Sequence, residues 1–319
     1  MRRTVFAWGR ILGPGVVLAV LVWRLGTGPF LDGVRAIDGR TLAEASGIAV
    51  LTTVCCAWRW KLVAGGLGVE LSLPAAVAAY YRSLFLNVTL PGGIVGDVHR
   101  AVSHGRDVRD VGRALRAVAW ERSAGQVVQV VVTAIVLLAL PSTVQSSMPL
   151  VVIALVVAVL GVALVARVRP GRGRSAWARI RGALARDARD ALLARRAWLG
   201  IVLASALVVA GHAVTFMIAA RTAGTTAPPS QMLPIALLAM MAMVLPSAGG
   251  WGPREGVTAW AFGAAGLGAQ RGVTTAVVYG VIVLVASLPG AGVLVVACFR
   301  RTWRPQRSRL PLREEAAHA

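Results

Sequence analysis

A helix cannot run through Asn87-Val88-Thr89-Leu90-Pro91-Gly92-Gly93-Ile94-Val95-Gly96-Asp97, yet apolar sequence leads straight into it. Pro91 has no N–H to donate, and Gly92 and Gly93 tolerate left-handed backbone. Gly96 keeps the chain pliable just before a carboxylate. A second passage begins about 155 residues later: Leu245-Pro246-Ser247-Ala248-Gly249-Gly250-Trp251-Gly252-Pro253-Arg254-Glu255. Each is a Leu-Pro break, a glycine pair and a carboxylate at the end of an apolar run. Broken backbone is tolerated at membrane depth only where protein or a wet cavity covers it. Two such breaks, one in each half, point to a central binding site of the kind transporters build.

Composition sets the solvent. Of 319 residues, 57% are hydrophobic, mean hydropathy is +0.70, and several runs near 20 residues carry almost no charge. That excludes a soluble enzyme and implies an all-α polytopic integral membrane protein. The net charge of +21 comes from 33 arginines and Lys61 against 13 acids. The arginines lie between apolar runs, which fits an anionic cytoplasmic leaflet and argues against nucleic acid as a partner. Cys55, Cys56 and Cys298 make neither a CxxC pair nor a disulfide framework.

Charge parity then sets topology. Arg2, Arg3 and Arg10 precede a first span at about 11–25, which places the N-terminus in the cytoplasm. The near-neutral stretch 26–41 reads as a loop. Span two, about 43–63, returns inside at Arg59, Trp60 and Lys61, where long cations can snorkel. Residues 99–116 carry five arginines, so 73–101 is expected to dip in from the cytoplasm and return to the same side. On that pattern Arg82 and Arg100 face headgroups. Span three is about 117–140, and span four about 149–166. Residues 167–196 hold ten arginines with an apolar stripe at helical spacing. They suit either an amphipathic helix on the cytoplasmic face or a solvated linker helix.

Span five (about 198–220) leads through an external turn to a second dipping segment, 231–270. Span six (about 272–297) ends at the basic tail 300–319. A 17-residue limb reaches roughly 25 Å, to mid-membrane or beyond. The expectation is one transmembrane domain over 1–319, with half one at about 10–141 and half two at about 149–299. About six full spans and two re-entrant broken-helix hairpins form an inverted repeat, with both termini cytoplasmic in the plasma (inner) membrane.

Taken in order, Asn87, Leu90-Pro91-Gly92-Gly93, Gly96-Asp97, Glu121-Arg122, Leu245-Pro246, Gly249-Gly250-Trp251-Gly252-Pro253-Arg254-Glu255 resemble the lysylphosphatidylglycerol synthase transmembrane, or flippase-like, family over roughly 10–300. The resemblance implies movement of lipids or lipid-linked groups between leaflets. Its best-known members add a soluble aminoacyl-transferase domain. This chain ends about twenty residues past its last expected span, so aminoacyl transfer is not expected of it. Pro253 stands where the family pattern leads one to expect a small aliphatic residue.

Ionisable groups inside a membrane segment are functional candidates, because burial there is costly unless they are paired or wet. The candidate headgroup site comprises Asn87, Pro91, Gly92, Gly93, Asp97, Glu121, Arg122, Pro246, Gly249, Gly250, Arg254 and Glu255. In this reading Arg122 and Arg254 hold a phosphate with their planar forks, helix N-termini add N–H groups, and Asp97 and Glu255 pair with the arginines or with a coupling proton. In the competing reading, Glu121/Arg122 and Arg254/Glu255 pair only to lock the hairpins. His212 in span five suits a packing role or a proton relay. His99 and His104 do not make a convincing metal site.

No hydrolase, metalloprotease, nucleotide or dinucleotide motif occurs, so no catalytic residue, metal or cofactor is assigned. The expected partners are membrane lipids, either an anionic phospholipid or a polyprenyl-linked lipid. Two alternatives stay open. One is a membrane-embedded transferase acting on a lipid phosphate, with Asp97 or Glu255 as base. The other is a non-catalytic partner of an envelope glycosyltransferase or synthase, docking through 167–196.

Overall fold

A computed structural model describes residues 16–140, 186–187, 189–192, 197–245, 247 and 251–302, with side chains to 299. Every regular element among them is a helix: α1 (Val16–Leu25), α2 (Gly28–Arg35), α3 (Gly39–Gly66), α4 (Leu73–Thr89), α5 (Val95–Asp107) and α6 (Val111–Ala139) come first. Then follow α7 (Trp198–Thr222), α8 (Pro229–Ala242), α9 (Pro253–Ala264), α10 (Ala269–Ser287) and α11 (Pro289–Thr302). Span four, most of 167–196, Pro246, Gly249, Gly250 and the tail beyond 302 lie outside the described residues.

Among the described residues four helices are long and apolar enough to cross a bilayer: α3, α6, α7 and the run Ala269–Phe299 formed by α10 and α11. A fifth results if α1 and α2, bent by 95°, count as one span. The stretch 26–41 is therefore not a plain loop. Gly26 turns the chain at φ +75°, and α2 lies down against α10. A Cβ on Gly33 would stand 2.9 Å from Val277, so only glycine permits that approach.

The four limbs around the two breaks are shorter. α4 has 17 residues, α5 13, α8 14 and α9 12. At 1.5 Å per residue they reach roughly 18–26 Å, less than the ~30 Å hydrocarbon core. α4 packs on α5 and α8 on α9, so each break joins two neighbouring limbs.

Between these limbs run the long helices. α3 packs against α7, α6 and α10, while α6 also touches α8 and α11 covers α4. The largest apolar cluster gathers Phe216, Met232, Leu237, Phe262 and Ile282 from α7 to α10. A second cluster around Trp60, Ala76 and Tyr80 holds α3, α4 and α6 together. Burying a Leu, Ile or Phe contributes about 1.5–3 kcal/mol against water. Between helices in lipid that drive is absent, and close packing of small residues takes its place.

Candidate functional site

α4 ends where Pro91 and the two glycines must turn the chain. Gly92 sits at φ +101° and Gly93 at φ +66°, backbone that L side chains rarely adopt. The chain re-enters helix at Val95, and α5 comes so close to α4 that a Cβ on Gly96 would collide with the backbone of Ser83. Asn87 locks the turn from both sides. Its Oδ1 accepts from the Gly96 N–H (2.8 Å) and its Nδ2 donates to Asp97 Oδ2 (3.2 Å). The Gly92 N–H donates to the Ser247 carbonyl at 2.9 Å, so the two breaks touch.

Beside the first break lies a charged cluster that is enclosed except at Arg122. Asp97 accepts from Arg100 Nε (2.9 Å), Arg122 Nη2 (2.8 Å) and Ser83 Oγ (3.1 Å). Glu121, fully buried, accepts from Arg59 Nε (2.9 Å) and Nη2 (2.5 Å), Arg100 Nη2 (2.6 Å) and Tyr80 Oη (3.2 Å). Arg59 also donates to Ser205 Oγ at 3.0 Å, which ties α3 and α6 to α7. The Arg100 guanidinium lies between the rings of Trp60 and Tyr80, 4.6 and 4.4 Å from their centroids. Gly125 makes room for Arg59, since a Cβ there would stand 2.7 Å from Nη1.

Three guanidiniums face two carboxylates, which leaves one positive charge over. Two N–H positions, Arg100 Nη1 and Arg122 Nε, are buried without a hydrogen-bond partner. The Arg100 position is close to aromatic faces. Arg122 differs, because 38% of its side chain is exposed while Arg59 and Arg100 are enclosed. It is the partly exposed arginine of the set.

The second break carries its own pair. Gly252, at φ +114°, caps α9, and Pro253 fits as the first helical residue, where its missing N–H costs nothing. Arg254 and Glu255 pair with each other, and Glu255 Oε2 accepts from the Gly252 N–H at 2.6 Å. The Arg254 guanidinium stands 5.4 Å from the Trp251 ring and 5.3 Å from Tyr279. Tyr279 Oη meets His212 Nδ1 at 3.0 Å. This pair is neutral as a unit.

Several sequence expectations move. Arg59 and Trp60 do not snorkel: they are 4% and 0% exposed, and of that trio only Lys61 is exposed. Arg100 does not face headgroups but lies buried between Asp97 and Glu121. Glu121 and Arg122 do not pair with each other: Glu121 is taken by Arg59 and Arg100, and Arg122 turns to Asp97. Arg254 and Glu255 do pair. Asn87, Gly92, Gly93, Asp97, Glu121 and Arg122 gather at one place, and Pro91 is exposed beside them. No ion pair among the described residues joins that cluster to Arg254 and Glu255. Arg59, Tyr80 and Ser83 are the contributors that sequence reading missed. An arginine two turns inside a 28-residue apolar helix was the available signal for Arg59.

Apolar helices of membrane length around buried, mutually paired charges define a multi-pass membrane protein. The chain belongs to the family of the lysylphosphatidylglycerol synthase TM region, whose profile matches residues 8–290. Membership ties it to membrane lipids. Among curated proteins, none matches the chain significantly.

Proposed function

We propose that the protein is a lipid translocator that passes an anionic headgroup, on a phospholipid or a polyprenyl-linked lipid, between leaflets while the tails stay in the bilayer. The observation that carries this reading is the surplus positive charge beside the first break, where Arg122 is the partly exposed guanidinium. A guanidinium that already holds Asp97 keeps a second edge for phosphate. The short limbs agree with re-entrant hairpins; charge parity has them enter from opposite faces, and such an inverted repeat would give the site alternating access. The Arg254–Glu255 pair is internally balanced and serves in this account as the anchor of the second hairpin.

The test is reconstitution in vesicles with headgroup-labelled phosphatidylglycerol and chemical quenching of the outer leaflet. The expected result is exchange well above that of protein-free vesicles, with at least a tenfold fall for Arg122→Ala and partial retention for Arg122→Lys. Exchange equal to that of protein-free vesicles across several anionic headgroups would rule the reading out.

A further inference from the structure

α6 carries a polar face that the charged cluster does not use up. Arg122, Gln126, Gln129 and Thr133 follow one another at spacings of four, three and four residues. At about 100° per residue they fall within roughly 60° of the helix circumference and cover roughly 16 Å of its length. The opposite face is apolar and turned outward: Val131, Ile135 and Leu138 are 42%, 59% and 72% exposed. Val132 and Val136, beside the polar face, pack on the apolar cluster of α7 to α10. The polar lane therefore faces the second half of the chain, where α6 meets α7 and α8.

Glutamine within an apolar span ordinarily bonds across to a neighbouring helix and holds the two together. Gln129 does not: among the described residues its Nε2 is buried without a hydrogen-bond partner. A buried amide with idle donors is destabilising, so packing alone gives no reason for it. Thr133 Oγ1 donates to the Gln129 backbone carbonyl at 2.7 Å, a bond along α6 that leaves the side-chain amide untouched. The lane is thus a row of donors, one charged and two neutral. It starts at Arg122 and runs away from the basic beginning of α6 at Arg113 and Arg116.

Donors in a row suit a group rich in lone pairs, and a phosphate ester is such a group. Arg122 offers it charge-assisted bonds, and the two amides offer weaker neutral ones. A second cation further along would hold the anion as firmly as the first and stop it there. Neutral donors hold it well enough to enter and loosely enough to leave.

We infer that this face of α6 is the track along which a lipid phosphate travels once it leaves Arg122, with Gln126 and Gln129 as successive stations. The inference rests on the translocator reading and adds the route to it. α7 and α8 pack on α6 and close the track in this conformation, so passage requires α6 and α8 to part.

Gln126→Met and Gln129→Met keep side-chain length and remove the donors. In leaflet exchange of labelled phosphatidylglycerol, each is expected to slow the rate about three- to tenfold, the loss of one neutral hydrogen bond to the moving phosphate. The double variant should be slower still. The SDS unfolding midpoint of Gln129→Met should stay at or above that of the wild type, because no bond of its side-chain amide within the protein is lost. A fall in exchange matched by a fall in that midpoint would assign Gln129 to packing and overturn the inference. Thiol labelling gives a second reading that needs no methionine variant. In a Cys298→Ser background, Gln129→Cys in vesicles should react with an anionic, water-soluble methanethiosulfonate, and Val278→Cys, fully buried on α10, should not. An inert Gln129→Cys overturns the inference as well. Free glycerol phosphate separates a lipid from a soluble ester: its uptake should equal that of protein-free vesicles, and faster uptake would overturn the lipid track. Exchange unchanged in the double methionine variant, with the wild type active and Arg122→Ala slow, overturns the inference alone. Wild-type exchange at the protein-free rate overturns the translocator reading together with it.

Discussion

Substituting Glu121 by Gln removes one negative charge from a place with no exposure and changes almost no volume. In the native cluster its carboxylate takes four hydrogen bonds from Arg59, Arg100 and Tyr80. A glutamine offers one acceptor, which the Arg59 fork can use. Its NH2 then faces Arg100 Nη2, a donor 2.6 Å from the original oxygen, and the two repel. The surplus charge of the cluster rises from one to two. Asp97 cannot offset this, because Arg100 and Arg122 already share it.

Breaking a buried ion pair by removing one partner costs about 3–5 kcal/mol, whereas replacing the whole pair with apolar groups is far milder. The Glu121→Gln variant should therefore lose about 3–5 kcal/mol of unfolding free energy, a factor of roughly 10² to 10⁴ in the equilibrium. Arg59→Met with Glu121→Met restores a surplus of one, and should recover at least half of that loss. The assay is unfolding by increasing SDS in mixed micelles, followed by tryptophan fluorescence, with Trp60 buried beside Arg100. A Glu121→Gln loss below about 1 kcal/mol, or a double variant no better than the single one, would refute the reasoning from uncompensated charge.

Gly125→Ala places a methyl against the Arg59 guanidinium and Gly280→Ala places one against Arg254 and Trp251. Each should cost about 1–3 kcal/mol in the same assay, while Gly292→Ala, with nothing within 4 Å, should stay near neutral. Asn87→Leu leaves the Gly96 N–H without its acceptor, and should cost about 1–3 kcal/mol and speed hydrogen exchange at Gly96. Gly96→Ala forces α5 away from the Ser83 backbone, and should weaken transport more than Gly292→Ala does, measured by the same leaflet exchange.

The breaks were legible because proline and glycine act locally, whatever the surroundings. The partners of the charges were not. Charge parity treats each arginine as a topological marker, so it assigned Arg59 to a membrane face together with Lys61. The structure separates them: adjacent positions on a helix differ by about 100°, and only Lys61 points outward. Arg100 was hidden among five arginines of a basic stretch, although Asp97 three residues earlier already stood one helical turn away. The arginine partners of Glu121 lie 62 and 21 residues away, on α3 and α5, and only the packing of those helices on α6 brings them there. Helix lengths near 25 residues were readable from hydropathy. The 95° turn after α1 depends on a glycine and on the face of α10 that receives α2, which no periodicity records.

The measurement closest to the central claim is an experimental density map of the protein in nanodiscs containing phosphatidylglycerol. The account predicts a lipid phosphate within about 3 Å of the Arg122 guanidinium, beside the first break. Ordered lipids confined to the outer surface of the helices, with Arg122 held by Asp97 alone, would contradict it.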